Sequence, residues 1–194
     1  VPTRQSYTMA VVDPDERSAA AGTKLVGTRV NTSLIDSFAV GANGTLTAAP
    51  GSPFTAQGLG PFGSEFRPTN PAQLFVSNAH DGPGNGSVSA FSAAADGTLT
   101  SIGASPFANH QTAPCWVEIS HDGQFLFAVN TAVSTISSYS IAANGSLTLL
   151  GNTTMDAAAH GPEDARLSPD GSTLWVVDTA SNAISGFAVS GGTL

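Results

Sequence analysis

Residues 119–130 read Ile-Ser-His-Asp-Gly-Gln-Phe-Leu-Phe-Ala-Val-Asn, and residues 167–178 read Leu-Ser-Pro-Asp-Gly-Ser-Thr-Leu-Trp-Val-Val-Asp. In both stretches an Asp-Gly pair precedes an apolar run, which is a strong signal for a β-hairpin turn. The run itself is almost continuously apolar, as expected for a strand that is buried on both faces. Each stretch therefore predicts two antiparallel strands, and the two stretches are copies of one unit.

The unit recurs four times along the chain. A Gly-Thr-Leu or Gly-Ser-Leu marker recurs at spacings of 53, 48 and 47 residues, beginning at Gly44, Gly97, Gly145 and Gly192. An aromatic residue precedes each marker in the same phase: Phe38, Phe91, Tyr139 and Phe187. Two landmarks that keep one phase over the whole chain indicate an internal repeat.

Each copy predicts four short strands, which we name a to d in chain order. Strand a ends at the Asp-Gly turn, strand b is the apolar run, strand c alternates as in residues 136–141, and an Asn-Gly or Asp-Gly turn leads to strand d. No segment shows a sustained 3.6-residue period, so helix is nearly absent. Asn78, Asn130 and Asp178 close the b strands in phase and are predicted to cap turns.

Four-stranded units of about 45–50 residues are typical of β-propeller blades. The sequence therefore predicts an all-β chain with one propeller domain of four four-stranded blades, at approximately residues 1–50, 61–102, 113–150 and 161–194. A β-sandwich is the alternative, because its strands also follow at short spacing, but it does not explain the fixed phase. Propellers close into rings of 4–8 blades, so either these four close alone or missing blades or another chain complete the ring.

The composition limits the classes of partner that the protein is expected to bind. The protein is acidic, with a formal charge of −8 and a pI near 4.6, so a nucleic-acid or anionic membrane partner is not expected. One cysteine excludes an intrachain disulfide or a cysteine-based zinc cluster. We expect a small-molecule ligand and no cofactor, with a divalent cation such as calcium as the alternative. Five Asn-x-Ser/Thr sequons could carry glycans in a secreted protein, although three of them are Asn-Gly steps that hairpin turns favour. We expect an extracellular, secreted location, and the cytoplasm is the other location considered.

Propeller geometry sorts the polar residues between the two ends of the blades. Connections from d to a and from b to c lie at one end, the channel mouth, and a-to-b turns lie at the other. Ligand sites favour concave regions where a few polar groups converge. The sequence therefore predicts ligand-binding residues at the mouth: His80, Cys115, Trp116 and His160. Trp116 either stacks on a ligand or packs between blades.

Glu163 and Asp164 open strand a of the fourth repeat, and His110 precedes strand a of the third. Carboxylates and a histidine at one mouth are predicted to share proton transfer as general acid and base. Adjacent strand residues point to opposite faces, so at most one of the two acids faces the channel. A solvated acidic turn, a cation site, or a nucleophile–base pair of Cys115 and His110 are the alternatives.

Residues 112–125 and 161–171 resemble the lactonase-type seven-bladed propellers, a family that includes 6-phosphogluconolactonase-like and carboxymuconate-lactonizing-enzyme-like proteins. The resemblance extends from Leu25 onward and implies that the chain corresponds to the four C-terminal blades of such a protein. It implies a hydrolase or isomerase of a small lactone or cyclic metabolite at the channel mouth. The alternatives are a non-catalytic secreted binding module and a structural half-propeller completed by a partner chain.

The resemblance also implies a basic Arg-His pair directly after the proline that opens a strand a, and a glutamate after such a proline in another blade. Here Pro162 is followed by Glu163 and Asp164, and Trp116 occupies the position of that glutamate. Acids in place of bases predict repulsion of phosphorylated or polycarboxylate substrates.

Overall fold

The computed structural model describes residues 24–158 and 160–194. In this part of the chain all regular secondary structure is β, as the periodicity predicts, and no helix is present. The described residues accordingly hold no helix of the length and apolarity that crossing a bilayer requires.

The sixteen strands follow one another in four groups. Their bounds are β1 (Lys24–Arg29), β2 (Leu34–Val40), β3 (Leu46–Ala48), β4 (Phe54–Thr55), β5 (Pro61–Arg67), β6 (Asn70–Asn78), β7 (Ser87–Ala93), β8 (Leu99–Ser101), β9 (Phe107–Ala108), β10 (Pro114–Ile119), β11 (Phe125–Asn130), β12 (Thr135–Ile141), β13 (Leu147–Thr154), β14 (Pro162–Leu167), β15 (Thr173–Asp178) and β16 (Ala183–Ala188).

Each group is an antiparallel meander, which we call a blade. Blade 1 comprises β1 to β4, blade 2 comprises β5 to β9, blade 3 comprises β10 to β13, and blade 4 comprises β14 to β16. Strands β5, β10 and β14 are the a strands, and β6, β11 and β15 are the apolar b strands. The a strand that the repeat predicts for blade 1 falls within residues 1–23, outside the described residues.

The outer strand d is divided in two blades, and blade 4 has three described strands where the repeat predicts four. In blade 1 it is divided into β3 and β4, and in blade 2 into β8 and β9, with Pro53 and Pro106 in the interruptions. Proline donates no hydrogen bond to a β-ladder, so the strand stops and resumes beyond it. In blade 3, where the corresponding sequence has no proline, β13 runs unbroken through Thr154.

The hydrophobic core lies between blades rather than within them. Blades 1 and 2 share one apolar cluster, blades 2 and 3 a second, and blades 3 and 4 a third. In the third, Phe127, Val129 and Ile136 of blade 3 are fully buried against Leu174 and Val176 of blade 4. Burial stabilises by roughly 25 cal/mol per Å² of apolar surface, so each blade is stabilised chiefly by its neighbours.

Glutamates join the inner strands of successive blades. Glu65 of β5 accepts a hydrogen bond from the backbone N–H of Ile119 at 2.8 Å, and Glu118 of β10 accepts one from that of Leu167 at 3.0 Å. An inner strand is a sheet edge, so these N–H groups have no ladder partner within their own sheet. Arg166 takes the in-phase position in β14 and donates from Nη1 to Glu118 Oε2 at 2.6 Å.

The glycine of the repeat marker serves two purposes. Gly145 has φ +88°, which side chains other than glycine rarely adopt. It also lies against blade 2, because an added Cβ would stand 2.8 Å from Ile102 Cδ1 and 3.0 Å from Gln73 Cδ. Gly44 has a similar φ of +80°, yet nothing lies within 4 Å of its added Cβ. A comparison of the two glycines therefore distinguishes the cost of the backbone conformation, which both share, from the cost of a packing collision, which only Gly145 has.

Gly44→Ala should lower the free energy of unfolding by about 1–2 kcal/mol, the usual cost of a left-handed backbone for a residue with Cβ. Gly145→Ala should lower it by roughly 1–3 kcal/mol more, because its Cβ also collides with the neighbouring blade. Chemical denaturation monitored by circular dichroism measures both. Equal losses in the two variants would contradict the packing role of the marker glycine.

Candidate functional site

The mouth is the end at which each strand a begins. The antiparallel order places the b-to-c turns and the d-to-a connections at this end, and the a-to-b turns at the opposite end, which we call the far end. β5 contacts β10, and β10 contacts β14, so the inner strands stand side by side. The first residues of successive inner strands are therefore brought together at one rim.

Each of the three described inner strands, β5, β10 and β14, opens with a proline followed by a β-bulge. Cys115 is the extra residue between Pro114 and Trp116, and Glu163 is the extra residue between Pro162 and Asp164. A bulge leaves one residue outside the ladder and redirects its side chain, which is why bulges are common beside active sites. Cys115 and Glu163 therefore occupy equivalent positions in neighbouring blades, and neither residue is paired in the ladder of its sheet.

Cys115, Thr131 and Glu163 form one group at the rim. The Thr131 hydroxyl donates to the carbonyl of Pro162 at 2.6 Å, and this links blade 3 to the start of β14. Burial raises the pKa of the half-buried Cys115 thiol above its ordinary value; a hydrogen bond with Thr131 opposes this, and the negative charge of Glu163 adds to it. The Glu163 side chain is exposed.

The other two strand residues of the predicted site lie deeper. Asp164 is half-buried and follows the bulge, opposite Val177 in the ladder. Trp116 is half-buried and packs with the apolar cluster between blades 3 and 4, and the Arg166 guanidinium lies 6.0 Å from its ring centroid. The structure thus places the Trp116 ring between blades, beside the rim group.

The histidines lie where the repeat predicts. His80, His110 and His160 are exposed in connections at the mouth, and His121 is exposed in an a-to-b turn at the far end. Backbone contacts hold two of these loops: the His80 N–H donates to the Leu59 carbonyl at 3.0 Å, and the His160 carbonyl accepts from the Ala180 N–H at 3.2 Å. Within residues 24–158 and 160–194, no hydrogen bond or ion pair joins the His110 imidazole to Glu163.

The His110 loop is held in a costly conformation. His110 has φ +58° and Ala113 has φ +55°, both in the left-handed region that non-glycine residues avoid. Buried Asn109 fixes the loop, since its side-chain oxygen accepts from the Gln111 N–H at 2.9 Å and its amide donates to Asn130 Oδ1 at 2.7 Å. Strain of this kind concentrates at functional sites.

Sequence reasoning did not find the polar network behind the rim. Asn130, predicted to cap a turn, instead donates across the sheet to Thr135 Oγ1 at 3.0 Å and Ser137 Oγ at 2.9 Å. Asn78 makes the equivalent bonds in blade 2, and Asp178 accepts from Ser185 Oγ at 2.6 Å in blade 4. Their recurrence in phase, together with in-phase serines, was the available signal.

Asp178 differs from its equivalents. It is fully buried, and its Oδ1 has no hydrogen-bond partner among the described residues. It also borders a shallow, open depression of about 510 Å³ around the turn from β15 to β16, whose other lining residues are Val177, Thr179, Asn182, Ala183 and Ile184. None of the predicted site residues lines this depression. In the described part of the chain, no three His, Cys, Asp or Glu side chains are grouped to hold a metal ion.

Comparison with known families decides the classification. The model of a family described as lactonase, 7-bladed β-propeller, matches residues 65–194, which is 130 of the 194 residues. The chain belongs to this lactonase family of seven-bladed propellers. The predicted all-β propeller fold and the predicted family are both confirmed. A search of curated proteins gave no match.

Solved structures share the fold at low identity. A candidate 6-phosphogluconolactonase from Bacteroides uniformis matches with a TM-score of 0.72 and 22% identity over 94% of this chain. A periplasmic gluconolactonase from Pseudomonas aeruginosa matches at 0.68 and 24% over 85%, and a protein of unknown function from Desulfotomaculum acetoxidans at 0.70 and 19% over 90%. The chain spans about half of each, namely 51%, 49% and 54%.

Glu163→Gln should lower the pKa of the Cys115 thiol, because a neutral amide no longer disfavours the thiolate. The pKa should stay above that of an ordinary cysteine, since burial is its larger cause. The pH dependence of alkylation by iodoacetamide measures it. Asp96→Asn, which removes an exposed acid from a turn at the far end, is the matched control and should leave the midpoint unchanged. An unchanged midpoint in Glu163→Gln would show that the two groups do not interact.

Proposed function

We propose that this lactonase-family protein hydrolyses or isomerises a small lactone or cyclic metabolite at the channel mouth. The observation that carries the proposal is the Glu163 carboxylate, which a bulge in the inner strand frees from the ladder at the rim. Membership in the lactonase family supports the reaction class. Lactonase assignments among the solved structures, a gluconolactonase included, supply the first substrates to try.

In hydrolysis, Glu163 acts as the general base. Its carboxylate accepts a proton from water as the water oxygen adds to the lactone carbonyl carbon. The ring C–O bond then breaks, and His110 donates a proton to the departing alkoxide to give the hydroxy acid. Asp164, next in the strand, is assigned a share in this proton transfer. Trp116, Cys115, His160 and His80 are proposed to border the bound ring.

A panel of lactones, followed by acid release at constant pH, tests this proposal. We expect turnover above the spontaneous rate and a loss in kcat of roughly 10²–10⁴ in Glu163→Gln and in His110→Ala, the usual contribution of a general acid or base. His121→Ala is the control for His110, because it removes an exposed histidine from the far end. Asp96→Asn controls for Glu163. Both controls should retain full activity.

No turnover of any lactone, with ligand binding unaffected in Glu163→Gln and His110→Ala, would replace this proposal with the non-catalytic binding module. The same mouth would then serve recognition alone.

A half-propeller completed by a partner chain or by further blades is the second candidate, and one observation favours it. Trp175, Val177 and Ile184 of blade 4 are 48%, 43% and 68% exposed. Their in-phase equivalents in blade 3 are completely buried by blade 4. Sedimentation tests this candidate, and a stable 19.4 kDa monomer counts against obligatory completion.

A further inference from the structure

We infer that the mouth selects uncharged or cationic ligands and excludes phosphorylated or carboxylated ones, and that Glu163 determines this selectivity. The selectivity among substrates rests on the proposed function. The negative charge of the rim does not depend on that function.

The first support is that every lysine and arginine side chain in the described residues either binds another group of the protein or lies toward the far end, away from the mouth. The part of the chain that the structure describes contains four lysine and arginine side chains, and three of them lie toward the far end. The Lys24 ammonium lies 5.9 Å from the centroid of the Phe66 ring. Arg67 is buried and donates to the Gly123 and Ala142 carbonyls at 2.7 and 2.9 Å.

The remaining two cations each bind a carboxylate. Arg166 donates to buried Glu118, one residue before β14 ends. Arg29 ends β1 at the mouth, but its Nε and Nη2 donate to the two oxygens of Asp36 at 2.5 Å each. A bidentate guanidinium–carboxylate pair presents little net charge to a third group. Arg4 and Arg17 lie outside the described residues.

The second support is the acid at the rim of blade 4. Glu163 is exposed, Asp164 follows it, and the fully buried carboxyl group of Asp178 lies opposite Pro162 in the ladder. The negative charge of Glu163 also raises the pKa of the Cys115 thiol, as expected for an acidic rim. Besides Cys115 and the Arg29–Asp36 pair, the other described titratable side chains at this end are Asp81, Asp156 and the exposed imidazoles of His80, His110 and His160.

A phosphate group at this rim would therefore be repelled by carboxylates, and no unpaired lysine or arginine side chain among the described residues lies there to attract it. In relatively open surroundings, one charge pair at about 4 Å changes an equilibrium about fivefold. Selection against a dianionic ligand should thus be of the order of ten- to thirtyfold, and screening by salt should reduce it.

Cys115 is the sole cysteine and occupies in β10 the bulge position that Glu163 occupies in the neighbouring β14, so its thiol serves as a probe of the charge at the rim. Three methanethiosulfonates react with the thiolate by forming a mixed disulfide and releasing methanesulfinate. They carry a trimethylammonium, a methyl or a sulfonate group. We measure the second-order rate constants at pH 8, divided by those for free 2-mercaptoethanol.

We expect the cationic reagent to react several-fold faster than the anionic one after this correction. Glu163→Gln should reduce the cation-to-anion ratio at least threefold, and Asp96→Asn should leave it unchanged. Because every reagent attacks the same thiolate, the ratio is independent of any change in thiol pKa. A ratio near one, or a ratio that Glu163→Gln does not move, would overturn the inference. Failure of Cys115 to react with any reagent would also overturn it, since the thiol would not face the mouth.

Kinetics with D-glucono-1,5-lactone and its 6-phosphate then distinguish the inference from the proposed function. We expect kcat/KM to favour the uncharged lactone, with Asp96→Asn again as control. Because Glu163 is also the proposed general base, its part in the selectivity is read from the thiol-reagent ratio and not from turnover by its variants. Turnover that prefers the phosphate would overturn the selectivity and leave the proposed activity in place. Charge-selective thiol reactions without turnover of either lactone would overturn the proposed activity and leave the rim charge in place.

Discussion

The face-to-face burial of one blade against the next is the contact on which the rest of the molecule depends. A single antiparallel meander exposes two faces and has little interior of its own, so its apolar b strand is stable only between neighbours. Phe127 lies at the centre of such a contact, fully buried between blades 3 and 4. The glutamate bonds from Glu65 and Glu118 then fix how far each inner strand is shifted against the next.

This stacking also determines where chemistry can occur. Because the inner strands of successive blades lie side by side, residues at the same place in those strands become neighbours at the rim. The bulge after each opening proline is such a place, and it brings Cys115 of blade 3 beside Glu163 of blade 4. The repeat supplies the position, and the residue that occupies it determines the charge. Blade 4 carries acids there, with Asp178 behind them.

Much of this arrangement could be predicted from sequence. The in-phase markers and the Asp-Gly turns predicted the blades, and strand order predicted which histidines lie at the mouth. The bulges were not predictable, because they depend on ladder register rather than on residue type. The role of Asn130 was also missed, since hydroxyls two strand positions apart are ordinary in strands and gain meaning only when paired. The division of the outer strands could have been read from Pro53 and Pro106.

The central claim is that packing against the next blade stabilises each blade, and one pair of variants tests it directly. Phe127 and Trp175 occupy the same position in blades 3 and 4, but the first is fully buried and the second is 48% exposed. Equilibrium unfolding should show that Phe127→Ala lowers stability by about 3–5 kcal/mol and Trp175→Ala by less than half as much. Equal losses would mean that the strands are stable within their own sheets, which contradicts the claim.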